Sequence, residues 1–163
     1  MTNYILNEQE KEYFHKIADE IISHPHFALL KNQIAHGKTT VYDHSISVAL
    51  ECYKYALSRK LVLDYPSFIR GALLHDYYFY DWHNNKSFTF HGLKHNHTAL
   101  KNAKKDFVLN KKEKGIIINH MFPLTIFHFP KSKEAWIVCR IDKKVALTDH
   151  KKLKQEQKEN IYE

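Results

Sequence analysis

A chain of 163 residues, 44% hydrophobic and 26% charged, is long enough for one domain with a real core and too apolar to be disordered. Its formal charge of +7, from 25 basic and 18 acidic residues, is scattered in pairs such as Lys104-Lys105, Lys111-Lys112, Lys143-Lys144 and Lys151-Lys152; with no dense basic stripe or RNP-type motif, these read as solvated helix faces and argue against a nucleic-acid partner. No apolar run approaches the ~18 residues of a membrane span, Met1-Thr2-Asn3-Tyr4 does not open a signal peptide, and Cys52 and Cys139 lie apart among apolar neighbours, so the expectation is a reduced, cytoplasmic protein with no membrane partner.

The apolar spacing is helical almost throughout. Asn7-x-x-Glu10 forms a capping-box pattern, and Phe14, Ile17, Ala18 and Ile21 continue it as a stripe that ends before Pro25. A short second helix is predicted from Pro25 to His36, with Gly37 in the helix-stop position. A third runs from about Thr40 to Arg59 with Val41, His44, Val48, Cys52 and Tyr55 on one face. The fourth starts near Asp64-Tyr65-Pro66 and carries Phe68, Ile69, Ala72 and Leu73 up to His75-Asp76. From Asp81 to His95 the pattern breaks into an aromatic, Asn- and His-rich stretch that reads as a functional loop. Helical spacing returns with Asn96 as cap and Ala99, Leu100, Ala103 and Phe107 on one side. Asn110-x-x-Glu113 opens a further helix through Ile116, Ile117 and His120. Ser132 caps the last one, which repeats Ala135, Val138, Cys139, Asp142, Val145 and Ala146 before a polar, frayed end from His150. The prediction is an all-α single domain of about seven helices: residues 1–37 packing on a core of residues 38–148, with 149–163 as a polar tail.

The chain has 13 histidines, and three positions conflict with their apolar surroundings. His44 interrupts the face of the third helix, His75-Asp76 closes the fourth, and Asp142 sits in the core stripe of the last. A buried carboxylate costs several kcal/mol unless it is protonated, paired or bound to a metal. Taken singly, His44 reads as a hydrogen-bonded core residue and Asp142 as a partner for Arg70 or Arg140. Taken together, four ligand-type groups on three core-facing stripes have one economical explanation, a shared cation.

The order His44, then His75-Asp76, then Asp142 resembles the HD superfamily of metal-dependent phosphohydrolases, an all-helical family whose H…HD…D signature binds a divalent metal. The resemblance spans roughly residues 38 to 148 and rests on Tyr42-Asp43-His44-Ser45, Ala72-Leu73-Leu74-His75-Asp76 and Ile141-Asp142-Lys143. It implies hydrolysis of a phosphomonoester or phosphodiester, with a nucleotide as one candidate, by a metal-activated water. Two imidazoles and two carboxylates suit Fe, Mn, Ni, Co or Zn, and Mg if waters complete its shell. Members with two metals, including the HD-GYP phosphodiesterases, place two more histidines between the HD dipeptide and the last Asp. His95 and His120 match these, which would leave Asp76 bridging two ions and a bridging water as nucleophile. The one-metal alternative has His91, His95 and His97 contacting an anionic substrate.

The chain departs from the family pattern. Three residues after Asp76, where relatives carry a Glu or Lys, it has Phe79, so Asp81 and His83 become the acid–base candidates beside Asp76. Met121-Phe122-Pro123 stands where Gly-Tyr-Pro would be, so cyclic-di-GMP specificity does not carry over. Lys38 with Thr39-Thr40, Arg70, Lys94, Arg140 and Lys143 are candidates for binding a substrate phosphate, and Tyr77, Tyr78, Tyr80 and Trp82 for walling a pocket. The competing expectation is a sensory module that binds metal and nucleotide without turnover. A homodimer is compatible with either.

Overall fold

The computed structural model describes residues 2–79 and 91–159, with side chains at 2–79 and 94–150. Asp81 and His83, the acid–base candidates, lie outside these residues, as do Tyr80 and Trp82 and the side chain of His91. Helix α1 (Glu8–Ile22) begins on the predicted capping box: Asn7 Oδ1 accepts from Glu10 N–H at 2.9 Å, and Glu10 returns the bond to Asn7 N–H at 2.9 Å. Phe14, Ala18 and Ile21 are its buried side. The segment predicted as one helix from Pro25 is instead three short pieces: α2 (Pro25–Ala28), a 3-10 turn (Leu29–Asn32) and the first strand of a hairpin, β1 (Ile34–His36) paired with β2 (Thr39–Thr40). Gly37 does not stop a helix. It sits in the two-residue turn at φ 64°, a conformation that favours glycine, and the strand pattern of exposed Ile34 and buried Ala35 replaces the helical one.

Thr40 ends the hairpin and caps α3 (Val41–Ser58) by accepting from Asp43 N–H at 3.1 Å. Asp64 caps α4 (Tyr65–Leu73), whose Ser67, Phe68, Ile69, Gly71, Ala72 and Leu73 are all buried. This short apolar helix is the centre of the fold and packs against α1, α3, α6 and α7. Helix α5 (His91–Asp106) starts inside the stretch predicted as loop. Asn96 is therefore not its cap: it is fully buried within the helix, donating from Nδ2 to the Ile118 carbonyl at 2.7 Å. Helix α6 (Lys111–Asn119) opens on the second capping box, Asn110 with Glu113. Helix α7 (Lys133–Glu159) runs past His150, where a frayed end is predicted, since Lys-, Gln- and Glu-rich sequence propagates a helix already nucleated by packing. The result is an all-α single domain of seven helices with one small hairpin among the described residues. No described helix is long and apolar enough to cross a membrane.

Candidate metal centre

Four helices and one inter-helix turn deliver six ligand-type side chains to one place. His44 projects from the first turn of α3 and Asp142 from the middle of α7, two helices that pack together. Helix α4 ends at Leu73, and His75-Asp76 occupy the turn just after it. Leaving the helix lets adjacent residues, ~100° apart on a helical wheel, face one centre. His120 is the C-terminal cap of α6, and His95 lies in the second turn of α5, which packs on α6. All six are buried, none more than 6% exposed.

They form two sets. In one, Asp142 Oδ1 lies 3.0 Å from His44 Nε2 and 3.6 Å from His75 Nε2. In the other, Asp76 Oδ1 lies 3.1 Å from His95 Nε2 and 3.3 Å from His120 Nε2, while those two nitrogens are 2.9 Å apart. Asp76 also faces the first set, its Oδ2 3.6 Å from His75 Nε2. Ligand atoms ~2.1 Å from one ion and 90–110° apart are separated by ~3.0–3.4 Å. The second set, at 2.9–3.3 Å, lies close to that spacing and the first, at 3.0 and 3.6 Å, is slightly wider; each could hold a metal ion.

Hydrogen bonding agrees with this fit. The Nδ1–H groups of His75 and His120 donate to the carbonyls of Ala72 and Ile117, both at 2.7 Å, which turns each Nε2 lone pair into the cluster. Among the described residues, His75 Nε2 and Asp76 Oδ1 are buried with no aligned hydrogen-bond partner, although Asp76 Oδ1 has imidazole nitrogens within 3.3 Å. Buried polar atoms left so are costly, and a cation satisfies both. His44 has no such outer support among the described residues, its Nδ1 being buried without a partner there.

The charges point the same way. Burial would raise the Asp76 carboxyl, but His75, His95 and His120 hold it well below the usual carboxylate range. Burial likewise opposes Asp142, and His44 and His75 outweigh it. Burial pushes His75 down, yet Asp76 and Asp142 lift it to about 9. His120 is lowered, chiefly by burial, and stays neutral as a ligand must be. In effect the two carboxylates attract a positive charge to the centre, a proton on His75 or a metal.

A cleft of about 240 Å³ opens over the cluster, lined by His36, Tyr78, Met121 and Lys143 among others. Lys143 does reach the site: its Nζ donates to the His120 carbonyl at 2.7 Å and lies 3.9 Å from Asp142 Oδ2. Arg70 does not. Its guanidinium joins α4 to α1 and α6, through Glu20, Glu113 at 2.6 Å and the Val108 carbonyl at 3.3 Å. Arg140 faces a separate groove of about 550 Å³ between α3 and α7. Lys38 is exposed in the hairpin turn and Lys94 is exposed on α5, neither lining the cleft. Tyr78 walls the cleft, its ring 5.9 Å from that of His95. Tyr77 turns away, stacking on Phe27 and donating its hydroxyl to Asp106 at 2.9 Å. His97 is exposed on α5 with its Nε2 3.1 Å from that of His128. Sequence reasoning missed His36, whose ring lies 5.2 Å from that of His44 and 5.4 Å from that of His150. The one signal for it in the chain is its place just before Gly37, legible once a hairpin rather than a helix is recognised.

Compared with protein-family models, curated proteins and solved structures, the chain matches none.

Proposed function

We propose that the protein is a metal-dependent phosphohydrolase of the HD type, acting on a phosphomonoester or phosphodiester, with nucleotides among the candidate substrates. The observation that carries the reading is the pairing of two buried three-ligand sets, His44/His75/Asp142 and Asp76/His95/His120, in the order of the HD signature, with Asp76 facing both. His44, His75 and Asp142 would hold one divalent metal, Fe, Mn, Ni, Co or Zn, and Asp76, His95 and His120 a second, with Mg workable where waters complete its shell. Metal bound there supplies Lewis-acid polarisation of a phosphoryl oxygen and a lowered pKa for attacking water. The chain's own residues do the rest. Ala72 and Ile117 carbonyls fix the tautomers of His75 and His120. Lys143, anchored on the His120 carbonyl at the cleft, places a cation where a phosphate oxygen would enter. His36 adds a ring donor at the rim.

One observation favours a second reading, a sensory module that binds metal and ligand without turnover. Phe79 occupies the position of the usual catalytic side chain and packs edge-on against Tyr77, ring centroids 4.8 Å apart, so that position itself supplies neither an acid nor an amine. The deciding experiment is anaerobic purification with metal analysis, then assay against p-nitrophenyl phosphate, bis(p-nitrophenyl) phosphate and a nucleotide panel. Chelator-sensitive release of product supports the enzyme. Metal with ligand-induced thermal stabilisation and no turnover supports the sensor, and protein that takes up no transition metal refutes both.

A further inference from the structure

We propose a further metal site, separate from the buried centre, formed by His24, His26 and Asp106. The three come from two distant places in the chain: His24 and His26 at the start of α2, and Asp106 at the last residue of α5. His26 Nδ1 lies 2.9 Å from Asp106 Oδ2, the imidazoles of His24 and His26 have centroids 5.3 Å apart, and one ligand atom from each residue falls within 4.8 Å of the others. An ion pair alone accounts for His26 with Asp106; it does not account for His24 converging on the same point.

Each ligand is held by its neighbours. Asp106 is only 12% exposed in its side chain and receives the Tyr77 hydroxyl at 2.9 Å, an outer contact that fixes a coordinating carboxylate. The His24 ring packs on Phe107 at 4.9 Å, and that of His26 on Phe79 at 6.0 Å. His24 Nδ1 also accepts the His26 amide, but at 3.3 Å that contact is long and weak, so a metal can take its place. The His26 side chain is 53% exposed, so a cation enters from solvent.

The donor set names the ligand class. Two imidazoles and one carboxylate suit a borderline cation such as Zn2+, Ni2+, Co2+ or Cu2+, with water in the open position. Mg2+ and Ca2+, which need mostly oxygen, are excluded. A cation here ties α2 to the end of α5. The hairpin that follows α2 carries His36 at the rim of the cleft, so the clip steadies one wall of the candidate active site from outside it.

The test uses the full chain, chelator-treated and titrated with Zn2+ alone by calorimetry and by equilibrium dialysis with metal analysis. The wild type should bind one more Zn2+ per chain than a His24→Gln/His26→Gln variant. At Zn2+ 100-fold above its Kd, loss of the site should remove roughly 5–10 °C of metal-induced thermal stabilisation. His24 and His26 are partly or well exposed, so the variant should fold; Asp106→Asn offers a second check. An Asp142→Ala chain keeps this ion whatever becomes of the buried centre, which separates the two claims. Equal Zn2+ counts in wild type and variant overturn the proposal, as does complete displacement of the extra ion by excess Mg2+.

Discussion

Gly71 and Gly115 offer the same substitution, Gly to Ala in a helix, with opposite expected signs. A Cβ on Gly71 would lie 2.7 Å from Ile116 Cδ1, 3.0 Å from its Cβ and 3.1 Å from its Cγ2. Carbon atoms prefer ~3.5–4.0 Å, so α4 and α6 must separate by several tenths of an ångström. Ile116 is fully buried and cannot swing aside, and its Cβ is fixed to the α6 backbone. Overpacking of this kind costs ~1–3 kcal/mol, and three simultaneous close contacts place it near the top. The helix-propensity gain of Ala over Gly returns ~1 kcal/mol. The net is ~2 kcal/mol of destabilisation, a fall in Tm of ~4–8 °C for a domain of this size. At Gly115 nothing lies within 4 Å of the added methyl, so only the propensity gain remains and Tm should rise ~2–4 °C. Urea and thermal melts of the metal-stripped chains read both numbers. In an Ile116→Val background, which lacks the closest atom, Gly71→Ala should cost ~1 kcal/mol less. The consequence reaches the centre, because α4 leads into His75-Asp76 and α6 into His120; metal affinity should fall with stability. If Gly71→Ala is as stable as wild type, or costs the same in the Ile116→Val background, the packing argument fails.

Asp142→Ala should lose the ion held with His44 and His75, together with hydrolysis and the metal-induced rise in Tm; unchanged metal stoichiometry would refute its place as a ligand. His120→Ala should reduce the buried centre by one ion per chain and slow hydrolysis severely, whereas a raised KM at full metal content would assign His120 to substrate instead. Arg70→Ala should leave Glu113 buried without its cation and cost ~3 kcal/mol, a drop in Tm of ~6–12 °C, with metal content and KM intact. A selective rise in KM without loss of stability would return Arg70 to the substrate. In metal-stripped protein, His75 is raised from 6.5 to about 9, so its contribution is complete below pH 6.5 and fades as pH climbs through 9. Asp76 and Asp142 are depressed below 3.8, so theirs holds above pH 3.8 and is lost in stronger acid. Thermal melts across pH 3–10 should fall off on both sides. A melt midpoint that is flat from pH 6 to 9.5 would contradict the His75 assignment.

Features that depend on a few neighbouring residues are legible in the chain itself. Both capping boxes, at Asn7-Glu10 and Asn110-Glu113, form as their spacing predicts, because each is a local exchange of hydrogen bonds within one turn. The all-α class follows from the apolar stripes, and Phe14, Ala18, Phe68, Ile69 and Val138 are buried as expected. His44, His75, Asp76 and Asp142 stand out because a polar group on a core-facing stripe needs a partner, a constraint on the chain wherever that partner lies. What one dimension leaves open is direction and pairing between distant segments. Pro25 to Gly37 carries enough helical spacing to read as a helix, yet Ala35 is buried in a strand that packs against α3 and α7, a choice made by long-range contact. Tyr77 and Tyr78 are adjacent and both buried, and only the fold turns one toward Asp106 and the other over His95. Arg70 is as plausible a phosphate ligand as Lys143 from sequence position alone. Packing α4 against α1 and α6 puts Arg70 beside Glu20 and Glu113, while packing α7 against α6 puts Lys143 on the His120 carbonyl. Burial energy depends on a residue's own side chain and periodicity, so one sequence carries it; convergence depends on which helices meet, and tertiary packing alone decides that.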